Sequence, residues 1–260
     1  IYDFTNLEIK EFAIKNNVVG IIGGPPCQGF SMVGKREEND ERNTLYLQYV
    51  RFVEQIKPEF FVLENVKGLL TLKKGFFKKD IVERFSNLGY NVTYKVLKAC
   101  DYGVPQKRER VFFVGLRKDI FKDKFFDYPL PTKKIVSTYD ALSDLPSLDN
   151  DELAAEYKTK PKNDYQKLMR RNSKTIKNNE ITNHSEQTKK IISMIPDGGN
   201  IQSLPEKYYK VRNFNSAFKR MNSHEPSTTI DCGHRNYFHY KENRIPTVRE
   251  SARIQSFPDD

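Results

Sequence analysis

The chain has 260 residues, 37% of them hydrophobic and 30% charged, with a formal net charge of +10 and a pI of about 9.3. That composition suits a soluble protein with a buried core and room for two domains. It excludes a helical membrane span in these residues, because no apolar run approaches ~20 residues, and a secretory leader is not expected, since no apolar stretch follows a basic start. A cytosolic setting is therefore expected, and the basicity points to a polyanionic partner.

In chain order, "NVVGII" (Asn17 to Ile22) reads as a strand buried on both faces of a parallel sheet. It runs into "GGPPCQGFS", which breaks the strand and presents a single thiol, Cys27, in a stiff bend. A polar loop, Ser31 to Asn43, follows. Leu45, Tyr49, Phe52, Val53 and Ile56 then keep helical spacing up to Pro58. "EFFVLEN" is a second buried strand, and Phe76 to Leu88 a helix that ends at Gly89. "YNVTYKVL" and "RVFFVGL" are two further strands with a different pairing. Strand, helix, strand implies that the first two strands lie parallel with a right-handed crossover, in an α/β fold.

This order carries chemistry. Cys27 follows the carboxyl end of the first strand and Glu64 sits at the carboxyl end of the second. Parallel neighbours lie about 4.8 Å apart with their carboxyl ends aligned, so thiol and carboxyl share one crevice. In "QKRER", an extended backbone would point Gln106, Arg108 and Arg110 to one side. A guanidinium near Cys27 favours the nucleophilic thiolate. Without Cys27 and Arg110, Glu64 reads better as a surface charge at a strand end than as a catalytic group, and the arginines also read as part of a structural ion network.

The remainder is less regular. Residues 139 to 247 are rich in Asn, Lys and Ser, and Tyr157 to Lys177 holds eight basic residues and one acid. That segment reads either as a solvated charged loop or as a contact to phosphates. Cys27, Cys100 and Cys232 are odd in number and lack metal-ligand spacing, so free thiols are expected, with Cys100 and Cys232 as filler. His184, His224, His234 and His239 show no metal-ligand spacing and read as surface or turn residues. No metal site is expected.

"GGPPCQGFS", "ENV" (Glu64 to Val66), "QKRER" and "VRESARIQSFPD" (Val248 to Asp259) together resemble four ordered motifs of the cytosine-5 DNA methyltransferases. "RNTLYLQYVR" and "DYGVPQ" are similar to intervening family segments, so the resemblance covers nearly the whole chain. It implies a Rossmann-like S-adenosylmethionine-dependent methyltransferase sheet over residues 1–138, and a smaller, mostly β or irregular target-recognition domain over residues 139–260. "IPDGGNIQSLP" and "FKRMNSHEPSTTI" are similar to the end of that recognition region. On the family pattern the chain is a fragment, without the FxGxG motif before the first strand and the GN motif at the end.

The resemblance also implies roles. Cys27 adds to carbon 6 of a flipped cytosine, Glu64 engages ring nitrogen 3, Arg110 holds the base oxygen, and Arg108 organises the same pocket. Pro26 and Leu45 belong to the cofactor site for S-adenosylmethionine. Gln28, Ser31, Lys35, Arg36 and Asn65 fall on the substrate side, with Lys35 and Arg36 expected on phosphates and Asn65 shaping the turn beside Glu64. The expected function is methylation of carbon 5 of cytosine in a specific duplex sequence, as the modification enzyme of a bacterial restriction-modification system in the DNA-associated cytoplasm. Implied partners are double-stranded DNA, a cognate restriction endonuclease and, for a split enzyme, a complementing subunit, with no membrane. The alternatives are an RNA cytosine-5 methyltransferase and a catalytically incomplete DNA-binding fragment or subunit.

Overall fold

The computed structural model describes residues 4–26, 45–132, 134–148, 153–209, 218–231 and 237–260. Two compact units emerge, one made of Ile1–Leu97 and Glu109–Leu130, the other of Lys98–Arg108 and Pro131–Asp260.

In the first unit, helix α1 (Asn6–Lys15) starts at a capping box in which Thr5 and Glu8 satisfy each other's backbone N–H groups. Strand β1 (Gly20–Gly23), helix α2 (Tyr46–Ile56), strand β2 (Phe60–Val66), helix α3 (Phe76–Asn87) and strands β3 (Tyr90–Lys98) and β4 (Glu109–Arg117) follow, with a short helix α4 (Lys118–Phe121) after them. The sheet order is β1-β2-β4-β3. β1 and β2 pair in parallel, as expected for a strand-helix-strand unit, while β2 and β4 pair antiparallel. One expectation fails in detail. The first strand starts only at Gly20 and, lying at the edge of this sheet, leaves Ile22 76% exposed instead of burying both faces.

Aromatic packing holds the sheet to its helices. Phe61, Phe85 and Tyr90 are buried in one cluster, with Phe61 and Phe85 ring centroids 4.0 Å apart. The Tyr49 hydroxyl lies 3.0 Å from the carbonyl oxygen of Ile21 and 2.9 Å from that of Val62, so a single donor ties α2 to both parallel strands. Gly115 stands opposite Phe61 in the register, and a Cβ there would fall 2.0 Å from the Phe61 ring. Glycine at this point gives the ring its space. Gly115→Ala is therefore expected to cost about 1–3 kcal/mol through overpacking, measured as a lower urea midpoint.

In the second unit, short helices supply most of the regular structure among the described residues. They are α5 (Thr138–Leu142), α6 (Asp164–Met169), α7 (Glu186–Met194), α8 (Glu206–Tyr209) and α9 (Val248–Ile254). Strands β5 (Lys219–Arg220) and β6 (Tyr237–Phe238) form a two-stranded ribbon. One apolar cluster joins α5, α6 and α9 through Ala141, Leu142, Tyr165, Met169 and Ile254, and another gathers Ile192, Ile195, Ile201, Phe218 and Phe238. The basic segment Tyr157 to Lys177 is thus partly built into a core. Asn163 caps α6, and Tyr165, Gln166 and Met169 are buried.

Charge, unusually, lies at the centre. Arg253 on α9 is fully buried, and its guanidinium donates to Asp144, Asp259 and the Ala141 carbonyl oxygen at 2.7 to 3.4 Å. Both carboxylates are fully buried as well. All three nitrogens of the fork are engaged, as a buried arginine requires. Arg220 is also buried and donates to the carbonyl oxygens of Ile192, Ile195, His239 and Glu242.

His239 corrects the sequence reading. It is 4% exposed rather than a surface residue, and its Nδ1 accepts from the Lys241 and Glu242 N–H groups. Packing behind the ribbon encloses it, and burial pushes its pKa down.

Glu250, on the same network, has its carboxyl bound in a fork by Arg244 at 2.7 and 2.8 Å and by the Thr247 N–H. Burial works against its charge, but nearby His239, Arg244 and Thr247 outweigh that cost and hold the carboxyl at about 2, below its ordinary 4.5. A depressed carboxyl contributes stability above its unfolded pKa and loses it as pH falls through the folded one. The melting temperature should therefore drop between pH 4.5 and about 2, and Glu250→Gln should flatten that part of the profile.

Candidate active site

β2 brings the first pieces together. Glu64 pairs with Phe112 and Val66 with Arg110 in the antiparallel register, so Glu64 and Arg110 are diagonal neighbours on one face of the sheet. Their long side chains meet there. Arg110 Nε lies 3.0 Å from Glu64 Oε1, both groups are half-buried, and Arg110 Nη1 also donates to the Glu109 carbonyl oxygen at 2.8 Å. A guanidinium and a carboxylate fixed side by side present hydrogen-bond donors and an acceptor to one planar ligand.

The loop after β1 closes on this pair. Asn65, 4% exposed, donates from Nδ2 to the Pro25 carbonyl oxygen at 3.1 Å, while its Oδ1 accepts from the Val66 N–H. The strand carrying Glu64 is thereby tied to the loop that leads into Cys27. A Cβ on Gly24 would sit 3.0 Å from Glu64 Oε2, so a side chain there would push the Glu64 carboxylate aside by a few tenths of an ångström. Gly24 is a site residue that residue pattern alone did not single out, although the "GGPP" run carries its signal.

Among the sequence-derived candidates, Glu64, Asn65 and Arg110 come together beside Pro25 and the exposed Pro26. Leu45 stands at the N-terminal end of α2 and is 38% exposed. Cys27, Gln28, Ser31, Lys35 and Arg36 lie outside the described residues, as do Cys232 and His234. Cys100 is a free, buried thiol, and burial pushes its pKa up, as suits filler.

Gln106 and Arg108 lie just ahead of the strand that carries Arg110. β4 starts only at Glu109, whereas residues 105 to 107 pair with Ser227: Lys107 N–H donates to Ser227 at 2.7 Å, and Ser227 N–H donates to Pro105 at 2.9 Å. That pairing buries Gln106 to 1% exposed, and Arg108 belongs to the second unit. Among the described residues no group of His, Cys, Asp and Glu could hold a metal ion, and no helix is long and apolar enough to cross a membrane.

The profile of the C-5 cytosine-specific DNA methylase family matches residues 1–260. The chain is 38% identical over 278 residues to the Type II methyltransferase M.DdeI of Desulfomicrobium norvegicum, covering 99% of this chain and 67% of that protein. It is 39% identical over 244 residues to the Type II methyltransferase M1.HphI of Haemophilus parahaemolyticus, covering 92% and 59%. The chain thus spans between 59% and 67% of the length of these curated relatives. An E. coli protein encoded within a prophage, described as a DNA modification methyltransferase, has a crystal structure similar to this one, with a TM-score of 0.77 and 27% identity over 98% of this chain and 74% of its own. The mixed α/β sheet is therefore that of the DNA methyltransferases. On motif order, the Glu64–Arg110 geometry and these matches, the chain belongs to the C-5 cytosine-specific DNA methylase family.

Proposed function

We propose that this chain carries the base-binding and nucleophilic half of an enzyme that methylates carbon 5 of cytosine in a specific duplex DNA sequence. The observation that carries the reading is the Glu64–Arg110 pair, held 3.0 Å apart beside the loop that Asn65 binds at Pro25.

A cytosine inside a duplex is out of reach, so the target base is flipped out of the stack. The Cys27 thiolate adds to carbon 6 of the ring. Glu64 binds or protonates ring nitrogen 3, which accepts the electron density displaced by that attack, and Arg110 holds the oxygen at position 2. Carbon 5, made nucleophilic, would take the methyl group as the donor's methyl–sulfur bond breaks and leaves a thioether; its proton then passes to a water molecule while the carbon 6–sulfur bond breaks to release the thiolate.

The methyl donor of this family is S-adenosylmethionine, which supplies an electrophilic methyl group on a sulfonium. Pro26 and Leu45 would line its site. Both keep accessible surface at the carboxyl side of β1, as a bound donor needs. Gln28, Ser31, Lys35 and Arg36 are assigned to the substrate side, the last two to DNA phosphates.

The unit of Lys98–Arg108 and Pro131–Asp260 is assigned to target recognition, and the sheet unit to catalysis. The relatives named above are Type II methyltransferases, which supports a modification role beside a cognate restriction endonuclease. Labelled methyl transfer by the whole protein to duplex DNA and to transfer RNA tests the reading. Label in duplex DNA alone is expected, and label in transfer RNA alone would overturn it.

A further inference from the structure

Between Glu64 and Asp80 the sequence holds five lysines and no acid. Lys67 is tied to Glu109 at 3.1 Å. Lys73, Lys74 and Lys79 are exposed and make no ion pair among the described residues, and the Lys78 ammonium lies 5.7 Å from the centre of the half-exposed Tyr94 ring. Asp80, the next acid, is engaged by Arg84 at 2.7 Å and by Tyr46. Phe76, 54% exposed, stands among these four cations.

The backbone is also unusual here. Lys73 and Lys74 both adopt left-handed conformations, with φ of 45° and 55°. Such conformations are costly for residues with a side chain and tend to persist where function demands them.

We infer that Lys73, Lys74, Lys78 and Lys79 form a contact surface for the phosphodiester backbone of the DNA that supplies the target base, next to the site and separate from Lys35 and Arg36. This rests on the duplex-DNA reading above. Lys73 comes nine residues after Glu64. Most of that path is tight 3-10 turns rising about 2 Å per residue, which keeps it within roughly 20 Å of the carboxylate. One turn of duplex spans about 34 Å, so a base held at Glu64 and a phosphate at Lys73 fit on the same turn. Four uncompensated positive charges match a polyphosphate, and the sugar edges of the backbone offer Phe76 an apolar partner.

The test is the salt dependence of binding to a mixed-sequence duplex about three helical turns long. In the whole protein, K73Q/K74Q/K78Q/K79Q should weaken binding at least tenfold at low salt. The slope of log K against log salt should shrink by about 3 to 4, near 0.9 for each phosphate no longer neutralised. The corresponding four-arginine variant should keep the wild-type slope. Should the glutamine variant fail to fold, K74Q and K79Q taken singly should each lower the slope by about 0.9.

Lysine variants with a wild-type slope would overturn this inference alone. A wild-type protein with no affinity for duplex DNA would overturn the functional reading and this inference together. Vesicles of phosphatidylserine and phosphatidylcholine are the competing probe. Loss of vesicle binding in the glutamine variant, with the duplex slope unchanged, would assign the patch to a membrane surface and overturn the inference.

Discussion

Replacing Arg253 with leucine is expected to destabilise the protein by about 3–5 kcal/mol, the cost of leaving buried charges without their partner. Asp144 and Asp259 have no exposed side-chain surface, and Arg253 binds each of them at 2.7 Å. Arg170 would still reach Asp144 at 3.0 Å, and Arg249 would still reach Asp259 at 3.4 Å, but neither replaces the fork. Urea denaturation would show the loss as a lower midpoint at unchanged slope. Neutralising both acids in the same chain, as R253L/D144N/D259N, should recover part of it, because the penalty comes from uncompensated charge rather than from lost volume. If Arg253→Leu melts like wild type, the buried network is not what holds α5, α6 and α9 together.

Glu64→Gln is expected to lower kcat by about 10²–10⁴-fold with little change in duplex affinity. Glutamine keeps the shape and a hydrogen bond to the ring, but it cannot carry a proton to nitrogen 3 or share charge with Arg110. The split between kcat and binding is the diagnostic. A side chain needed only to hold the loop would weaken binding and stability together, whereas one that acts as charge develops on the ring changes the rate of the chemical step. Methyl-transfer kinetics in whole-protein variants, beside equilibrium duplex binding, give both numbers.

Much of this was readable from residue pattern because the governing interactions are local. The apolar run of β2, the helical spacing of α2 and the proline after it are each set by neighbours a few residues away, and they place Glu64 at a strand end. The parallel pairing of β1 with β2 followed from the intervening helix. The diagonal meeting of Arg110 with Glu64 required the antiparallel register of β4, which a single sequence does not encode in any short window.

Burial of charge was the least visible feature. Nothing local in the run from Arg249 to Arg253 signals burial, yet Arg249, Glu250 and Arg253 are all buried, with Asp144, more than a hundred residues earlier, receiving Arg253. The burial of His239 in its turn was hidden for the same reason. Its neighbours Lys241 and Glu242 look solvated, but their N–H groups turn inward to its ring. The backbone partner of Gln106 was equally out of reach, because Ser227 lies far along the chain.

The most direct measurement of the central claim is trapping on duplexes that carry 5-fluorocytosine at the target position, with S-adenosylmethionine present, followed by peptide mapping. Fluorine cannot leave carbon 5 as the proton does, so the adduct persists once the methyl group has been transferred. A stable adduct on Cys27, absent in Cys27→Ser and formed more slowly in Glu64→Gln, is the predicted result. An adduct on Cys100 or Cys232, or methyl transfer that survives Cys27→Ser, would contradict the account.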